Sequence, residues 1–207
     1  MNILVLAPHP DDEAIGCGGT LYQHAQRGDR VVVVFLTSGE LGLKHLPREE
    51  AWRIRESEAK RAAKILRVAA TEFLRLPDWS LGEHVREAGR QLQAFLKREK
   101  ADLLYLPHPG EWHPDHQAAL PVFRKALDGS GTNTPQLRGY EVWTPLSTYD
   151  FVEDISSAKP QKLRAIRAHK SQGSEFDYAR AILGLNQYRG VMAGKCRYAE
   201  VFQKLEL

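Results

Sequence analysis

The first thirteen residues pass from an unbroken apolar run into a cluster of polar side chains. The run Ile3-Leu4-Val5-Leu6-Ala7 has no alternation of apolar and polar residues. It therefore predicts a strand that is buried on both faces, as in a parallel sheet covered by helices. One imidazole and three carboxylates follow within the five residues of His9–Glu13, and the prolines Pro8 and Pro10 stiffen this turn. Open α/β sheets bind ligands at the carboxyl ends of their strands, so the turn is a candidate site. The alternative is that its aspartates only cap the following helix.

Strand-like and helix-like segments alternate along the rest of the chain. The strands are predicted at Ile3–Ala7, Val31–Leu36, Glu72–Leu76, Leu103–Leu106, Tyr140–Trp143, Tyr149–Val152 and Ala199–Phe202. The helices are predicted from Ala14 to about Gly28, at Arg48–Leu66 and Val85–Leu96, after His116, and near Gln161–Lys170 and Tyr178–Tyr188. This alternation predicts a single α/β domain over residues 1–207. We expect a Rossmann-like, doubly wound and mainly parallel sheet with helices on both faces.

Composition and charge exclude several classes of protein. The net charge of +3 comes from basic residues that are spread through helices also carrying acids, so no nucleic-acid-binding surface is indicated. Cys17 and Cys196 are too few for a disulfide framework. No apolar stretch approaches the roughly 20 residues of a membrane span, and the N-terminal run is too short for a signal peptide. We expect a cytoplasmic protein without a membrane span, and the sequence leaves open whether it forms a homo-oligomer.

A second polar cluster, His113-Pro114-Asp115-His116, follows the fourth predicted strand. In the common doubly wound order that strand lies beside the first one, so the two clusters should meet in one crevice. Imidazole nitrogens and carboxylate oxygens suit zinc, and a catalytic zinc takes three protein ligands and keeps one position open. More candidates are present than a zinc needs, so some must have other roles. Spacing alone does not decide which of Asp11 and Asp12 is a ligand.

Other residues have a functional and a structural interpretation. Arg55 interrupts the apolar stripe of its helix, and it either pairs with Glu58 or points at a polar ligand. Trp112, beside the second cluster, could stack on the face of a ligand. For the remaining candidates we favour structural roles: His24, His45 and His84 at the surface, His108 and Trp52 in packing, His169 partly buried, and Cys17 as a small packing residue.

Six segments, in the right order and covering nearly the whole chain, resemble the PIG-L / LmbE-like family of zinc-dependent N-deacetylases. They are His9–Glu13, Thr37–Glu40, Arg55–Ala59, His113–His116, His169–Gln172 and Tyr198–Phe202. The resemblance implies a small amino-sugar substrate, namely an N-acetylglucosamine unit of a conjugate or a related sugar. It implies Zn²⁺ as the cofactor, although another divalent metal such as Fe²⁺ would suit the same ligands.

The resemblance also implies a role for each matching residue. His9, Asp12 and His116 would bind the metal, and Asp11 would be the general base. His113 would lie beyond the substrate carbonyl, with its ring held by Asp115. Arg55 and Glu40 match positions linked to sugar binding. The segment Gly110-Glu111-Trp112 lacks the arginine or tyrosine that some members carry before the second cluster.

The expected reaction is hydrolysis of the acetamide by a metal-activated water. Asp11 would accept the proton, a protonated His113 would stabilise the oxyanion, and Asp11 or His113 would protonate the departing amine. Two alternatives stay open at this point. Two histidines and a carboxylate also describe a non-haem iron oxygenase, and the chain could be a non-catalytic metal- or sugar-binding module.

Overall fold

The computed structural model describes residues 1–173 and 177–207, and these form an α/β fold around a seven-stranded sheet. The strands are β1 (Asn2–Ala7), β2 (Arg30–Thr37), β3 (Ala70–Leu76), β4 (Leu103–Pro107), β5 (Gln136–Tyr140), β6 (Phe151–Asp154) and β7 (Ala199–Leu205). Their order across the sheet is β3-β2-β1-β4-β5-β7-β6. The first five strands in this order are parallel, and β7 is antiparallel to both of its neighbours. The predicted fold class is confirmed.

Within the described residues, six α-helices cover the two faces of the sheet. They are α1 (Asp12–Gln26), α2 (Arg48–Leu66), α3 (Val85–Glu99), α4 (Pro114–Leu127), α5 (Lys159–Ile166) and α6 (Tyr178–Arg189). The core on one face contains residues of α1, α2, α5 and α6, and the core on the other face contains residues of α3 and α4. In the part of the chain described, no helix is both long and apolar enough to cross a bilayer.

β1 is buried from both sides, as its unbroken apolar sequence predicted. Ile3, Val5 and Ala7 pack into one core, and Leu4 and Leu6 pack into the other. Each full burial of such a side chain contributes roughly 1.5–3 kcal/mol, the smaller Ala7 less. A polar substitution at any of residues 3–7 would therefore disrupt one of the two cores.

β1 and β4 are neighbours, and this pairing positions the site. Ile3 pairs with Leu103 and Val5 with Tyr105 in parallel register. The two strands therefore end at the same edge of the sheet, where the strand order reverses. The loops that follow them carry the two polar clusters into one crevice.

The fifth strand was predicted at the wrong place. Residues Tyr140–Trp143 were expected to form it, whereas β5 ends at Tyr140. The N–H groups of Val142 and Trp143 donate to the carboxylate of Glu111, at 2.7 and 3.0 Å, so they are not available to a neighbouring strand. Smaller differences affect β6, which begins at Phe151, and α5, which ends at Ile166.

Two glycines, Gly16 and Gly19, allow α1 to pack closely on the elements below it. A Cβ atom at Gly16 would lie 2.2 Å from the ring of Tyr140, and one at Gly19 would lie 2.7 Å from Ile155. The Tyr140 hydroxyl donates to the carbonyl of Leu6 at 2.8 Å. The N-terminus of α1 is thereby held against the end of β1.

Candidate metal centre and cleft

Three potential ligand atoms form an equilateral triangle where the two polar clusters meet. His9 follows β1, Asp12 begins α1, and His116 lies in the first turn of α4. His9 Nδ1 and Asp12 Oδ2 are 3.3 Å apart, His116 Nε2 and Asp12 Oδ2 are 3.3 Å apart, and His116 Nε2 and His9 Nδ1 are 3.3 Å apart. Ligand atoms at 2.0–2.2 Å from a tetrahedral ion are about 3.3–3.6 Å apart. This His/Asp cluster could therefore hold a metal ion.

Carboxylates lie behind both imidazoles of this triangle. His9 Nε2 is 3.1 Å from Asp115 Oδ2 and 3.1 Å from Asp78 Oδ1, so its Nδ1 is the nitrogen left to face Asp12. His116 Nδ1 faces Glu111 Oε2 at 3.5 Å. Carboxylates in this position fix the tautomer and orientation of a metal-binding histidine and raise its basicity.

The charges of the cluster favour a cation at its centre. Burial is the largest single influence on the pKa of His116 and would lower it, but Asp12 and Glu111 outweigh burial and raise that pKa to about 9. The pKa of His9 is likewise raised, because its bonds to Asp115, Asp12 and Asp78 outweigh burial. Two imidazole nitrogens and a carboxylate oxygen at these separations are a donor set that an added cation would suit.

The carboxylate of Asp11 contacts Arg55, although Asp11 is the next residue to Asp12. Its Oδ2 atom lies 3.2 Å from Arg55 Nη2, and its backbone has a φ of 128°. Burial raises the pKa of Asp11 to about 6, and the Arg55 guanidinium offsets part of that effect. A carboxylate of this kind can accept a proton near neutral pH and later release it.

His113 differs from the expectation in its protonation. Its Nδ1 accepts the N–H of Asp115 at 3.2 Å, so the neutral ring carries its proton on Nε2. Burial lowers the pKa of His113 to about 4, with further contributions from His9 and His116. The ring is therefore neutral at pH 7, and a divalent cation nearby would favour the neutral form further. The protonated His113 expected during the reaction differs from this neutral form and stays a prediction.

The carboxylate of Asp115 also has different partners from those expected. It was predicted to hold the ring of His113, but Oδ2 bonds His9 Nε2 and the N–H of Trp79, and Oδ1 accepts the N–H of Leu81 at 3.0 Å. His113 is the N-cap residue of α4, and the backbone rather than the side chain of Asp115 reaches its ring. Asp115 thus connects the loop after β3 to His9.

Arg55 is a buried residue that joins two loops of the site. Its Nη1 donates to Gly39 O and its Nη2 to Pro10 O, both at 2.7 Å. Gly39 has a φ of 62°, and a Cβ there would lie 2.1 Å from Nη1, so glycine gives the guanidinium its space. The possible ion pair with Glu58 does not form. Glu58 instead accepts the N–H and hydroxyl of Ser171, at 3.0 and 2.6 Å.

Glu40 lies outside the site's central cleft. Its Oε2 accepts Trp52 Nε1 at 3.0 Å, and its Oε1 lies 3.3 Å from Arg48 Nε. The cleft has a volume of about 540 Å³ and contains His9, Asp11, Arg55, Asp78 and His113 together with Trp79, Trp112 and Trp143. Glu40 is absent from the described residues that line it. Of the two residues expected to bind substrate, Arg55 therefore lines the cleft and Glu40 does not.

A second cavity of about 350 Å³ shares Asp11, Gln172 and Tyr178 with the cleft. His169 lines it, is buried, and lies 3.8 Å from Glu13 Oε1. Arg167 and Lys170 also line this cavity. The predicted burial of His169 is confirmed.

A family model described as PIG-L, "GlcNAc-PI de-N-acetylase", matches residues 4–127, which is more than half of the chain. The chain belongs to the PIG-L family. The match includes both polar clusters and Arg55, so the resemblance seen in the sequence is confirmed.

Curated relatives and solved structures agree with this assignment. The diacetylchitobiose deacetylase of Thermococcus kodakarensis is 34% identical over 96% of this chain and 81% of its own length. The N,N'-diacetylchitobiose deacetylase of Pyrococcus horikoshii, solved with an inhibitor, has a TM-score of 0.82 and is 28% identical, covering 98% of this chain and 83% of its own. GalB, a 4-carboxy-2-hydroxymuconate hydratase of Pseudomonas putida, has a TM-score of 0.88 but is only 22% identical over 100% of this chain and 97% of its own, so it shows the fold alone.

Sequence reasoning missed two carboxylates of this PIG-L site. Asp78 lies just beyond the end of β3, and applying the strand-end rule to the third strand would have found it. Glu111 lies only two residues before His113, but its contacts with residues 142–144 come from the tertiary fold. Both face a histidine of the triangle.

Several predictions for individual side chains can also be compared with the structure. His24 was expected at the surface but is buried, with Nε2 3.0 Å from the Tyr105 hydroxyl. His45 is exposed, Cys17 is buried, and the ring of His108 contacts Thr144 O. The cytoplasmic location stays a prediction, and the oligomeric state stays open.

Proposed function

We propose that this protein is a zinc-dependent hydrolase that removes the acetyl group from an N-acetylglucosamine-type sugar or its conjugate. The observation that carries the proposal is the triangle of His9 Nδ1, Asp12 Oδ2 and His116 Nε2 beside a cleft that also contains Asp11. Membership of the PIG-L family and the deacetylase relatives support the same substrate chemistry.

We assign His9, Asp12 and His116 as the residues that would hold the metal. When bound, a divalent ion supplies a Lewis acid and lowers the pKa of a bound water far below its ordinary value, to about 7. Zinc is the first choice for two imidazoles and a carboxylate. Asp78, Asp115 and Glu111 keep the two imidazoles in place.

Asp11 is the group that we expect to move protons. Its pKa of about 6 leaves it ionised at neutral pH, so it can accept a proton from the attacking water. The same proton can then pass to the nitrogen of the departing amine. Because His113 is neutral and carries its proton on Nε2, it is the poorer candidate for this second transfer.

His113 acts as a hydrogen-bond donor in this proposal. Its Nε2–H would donate to the acetamide oxygen as negative charge develops there. The amide C–N bond breaks, and the products are acetate and a free amino sugar. Arg55 keeps Asp11 in position, and its polar side chain also lines the cleft. We place Glu40 in sugar binding only indirectly, through the loop that it shares with Gly39.

The test is acetate release from a panel of N-acetylated sugars, with and without a chelator and with zinc added back. We expect chelation to abolish acetate release and zinc to restore it. Asp11→Asn should keep the metal and lower kcat by about 10²–10⁴-fold, which is typical for loss of a general base. Asp12→Ala should lose the metal itself.

A matched control and two contrary outcomes make the test decisive. Asp128→Asn changes an aspartate whose side chain is 66% exposed, and it should behave like the parent protein. Activity that requires O₂ would favour the iron oxygenase. If the protein binds metal and sugar but releases acetate from no N-acetylated sugar, the remaining hypothesis is a non-catalytic binding module.

A further inference from the structure

We infer that Trp79 and Trp112 form a subsite at the mouth of the cleft that stacks on a neutral sugar residue linked to the N-acetylated unit. The inference rests on the proposed function and extends it to the class of substrate. It makes the preferred substrate an oligosaccharide of at least two residues instead of a single sugar or an anionic conjugate.

The two indoles are unusually exposed and lie next to the catalytic histidine. Trp79 is 50% exposed and Trp112 is 58% exposed, whereas tryptophan is on average a highly buried residue. Their ring centroids are 6.3 Å apart. They lie 4.4 and 5.4 Å from the ring centroid of His113. The aromatic surface therefore continues from the reaction centre toward solvent.

Trp79 has an unfavourable backbone conformation, which an exposed residue without a function would not be expected to keep. Its φ is 67°, in the left-handed region that is unfavourable for a bulky side chain. Asp115 fixes this conformation, because its carboxylate accepts the N–H groups of Trp79 and Leu81 at 2.8 and 3.0 Å. The same carboxylate bonds His9. The position of the Trp79 indole is thus linked to the metal centre, and backbone strain of this kind is typical of functional sites.

Trp112 lies on a different loop from Trp79. Its N–H donates to the hydroxyl of Thr144 at 3.1 Å. It lies directly before His113, so its backbone position is fixed by the same loop that carries the second polar cluster. The two rings are both ordered by contacts with the site, and their planes are inclined by 52°. They form an angled aromatic platform against which the apolar face of a pyranose ring can pack.

The charges near this platform favour a neutral ligand. Lys44 and Arg55 are the cationic residues among the described residues that line the cleft. The Arg55 guanidinium already bonds Gly39 O, Pro10 O and Asp11, so Lys44 alone is left for an anion. A phosphate or carboxylate on the linked group is normally recognised by several cationic donors. A sugar ring needs only an aromatic face and water around its hydroxyl groups.

The experiment compares kcat/KM for acetate release from N,N'-diacetylchitobiose and from N-acetylglucosamine. Trp79→Ala and Trp112→Ala should each lower the disaccharide-to-monosaccharide ratio by about three- to tenfold, as expected for one aromatic contact. Trp79→Phe should restore part of the ratio, which separates stacking from a disturbed backbone. Tyr188→Ala removes another ring that is 58% exposed, away from the cleft, and should leave the ratio unchanged.

Two outcomes would overturn the subsite. One is an unchanged ratio in both tryptophan variants, and the other is a preference for N-acetylglucosamine 1-phosphate over the disaccharide in the parent protein. Calorimetric titration with chitobiose separates this inference from the proposed function, because it needs no turnover. If no sugar is deacetylated, chitobiose binding that is lost in the Trp79→Ala/Trp112→Ala double variant would still support the subsite, and equal binding would refute it.

Discussion

Arg55 Nη2 lies 3.2 Å from Asp11 Oδ2 and 2.7 Å from Pro10 O, so one buried guanidinium holds both the backbone and the side chain of the proposed base. Asp11 has a φ of 128°, and a non-glycine residue in such a conformation costs roughly 1–3 kcal/mol. The surrounding contacts must offset that cost. Arg55 therefore has a positioning role in addition to any contact with the sugar.

Replacing Arg55 by glutamine should misplace Asp11 without removing the metal ligands. We expect kcat/KM to fall by about 10²-fold, the cost of a roughly 1 Å displacement of a catalytic group, while metal content stays at the parent level. Arg53→Gln, on the same helix with a side chain that is 74% exposed, should have no effect. Steady-state kinetics and metal analysis of both variants test whether Arg55 positions Asp11. Parental kcat/KM in Arg55→Gln would show that Asp11 needs no such support.

Glu111 should control metal affinity through His116. Its Oε2 lies 3.5 Å from His116 Nδ1, and its other oxygen accepts the N–H groups of residues 142–144. Loss of such a carboxylate typically weakens metal binding by about 10–100-fold. Glu111→Gln should show this loss in a competition titration against a chromogenic chelator.

A neighbouring buried carboxylate provides the control for Glu111. Glu141 accepts from Leu146 N and Arg189, and no described contact joins it to either histidine of the triangle. Glu141→Gln should lower thermal stability but leave the metal dissociation constant unchanged. Equal loss of metal affinity in both variants would mean that general loosening of the fold, not contact with His116, weakens the site.

The sequence predicted the parts of the site that follow from strand ends, but not the partners that come from distant loops. His9 and His116 were brought together by one argument, that β1 and β4 are neighbours, because unbroken apolar strands are easy to recognise. The direction in which a side chain points cannot be predicted from the order of the strands. Asp115 was assigned to the nearby His113, yet its carboxylate reaches His9, which is 106 positions away. Likewise, Tyr140–Trp143 has the alternation of a strand, and only the contact with Glu111 shows why it is not one.

His24 should make the stability of the protein depend on pH. Burial lowers the pKa of this histidine below 6.5, although Asp29, 2.7 Å from its Nδ1, opposes that effect. In the unfolded chain His24 takes up a proton more readily than in the folded protein, so the free energy of unfolding should decrease as the pH falls through 6.5. Urea unfolding between pH 5 and 7.5 measures this dependence.

The contribution of His24 is the difference between the parent protein and His24→Gln. The variant should lose less stability than the parent between pH 7 and pH 5, because it cannot take up that proton. His45→Gln, at an exposed histidine, should keep the parental dependence on pH. Parallel curves for the parent and His24→Gln would show that the buried ring does not resist protonation.

Outside the site, we expect substitutions in the buried ion pair of Lys162 and Glu200 to lower the stability of the fold most. Lys162 Nζ lies 2.6 Å from Glu200 Oε1, and the side chains are 3% and 0% exposed. Glu200 also accepts the N–H groups of Gly19 and Thr20, so it joins β7 to the middle of α1. Glu200→Gln leaves the ammonium group of Lys162 buried without a counter-charge, and we expect a loss of about 3–5 kcal/mol in the free energy of unfolding.

The control is Lys204→Met, which breaks an exposed pair with Glu206 and should change the free energy of unfolding by less than about 0.5 kcal/mol. A loss below about 1 kcal/mol in Glu200→Gln, with an unchanged m-value in urea, would mean that Lys162 finds another partner or releases its proton.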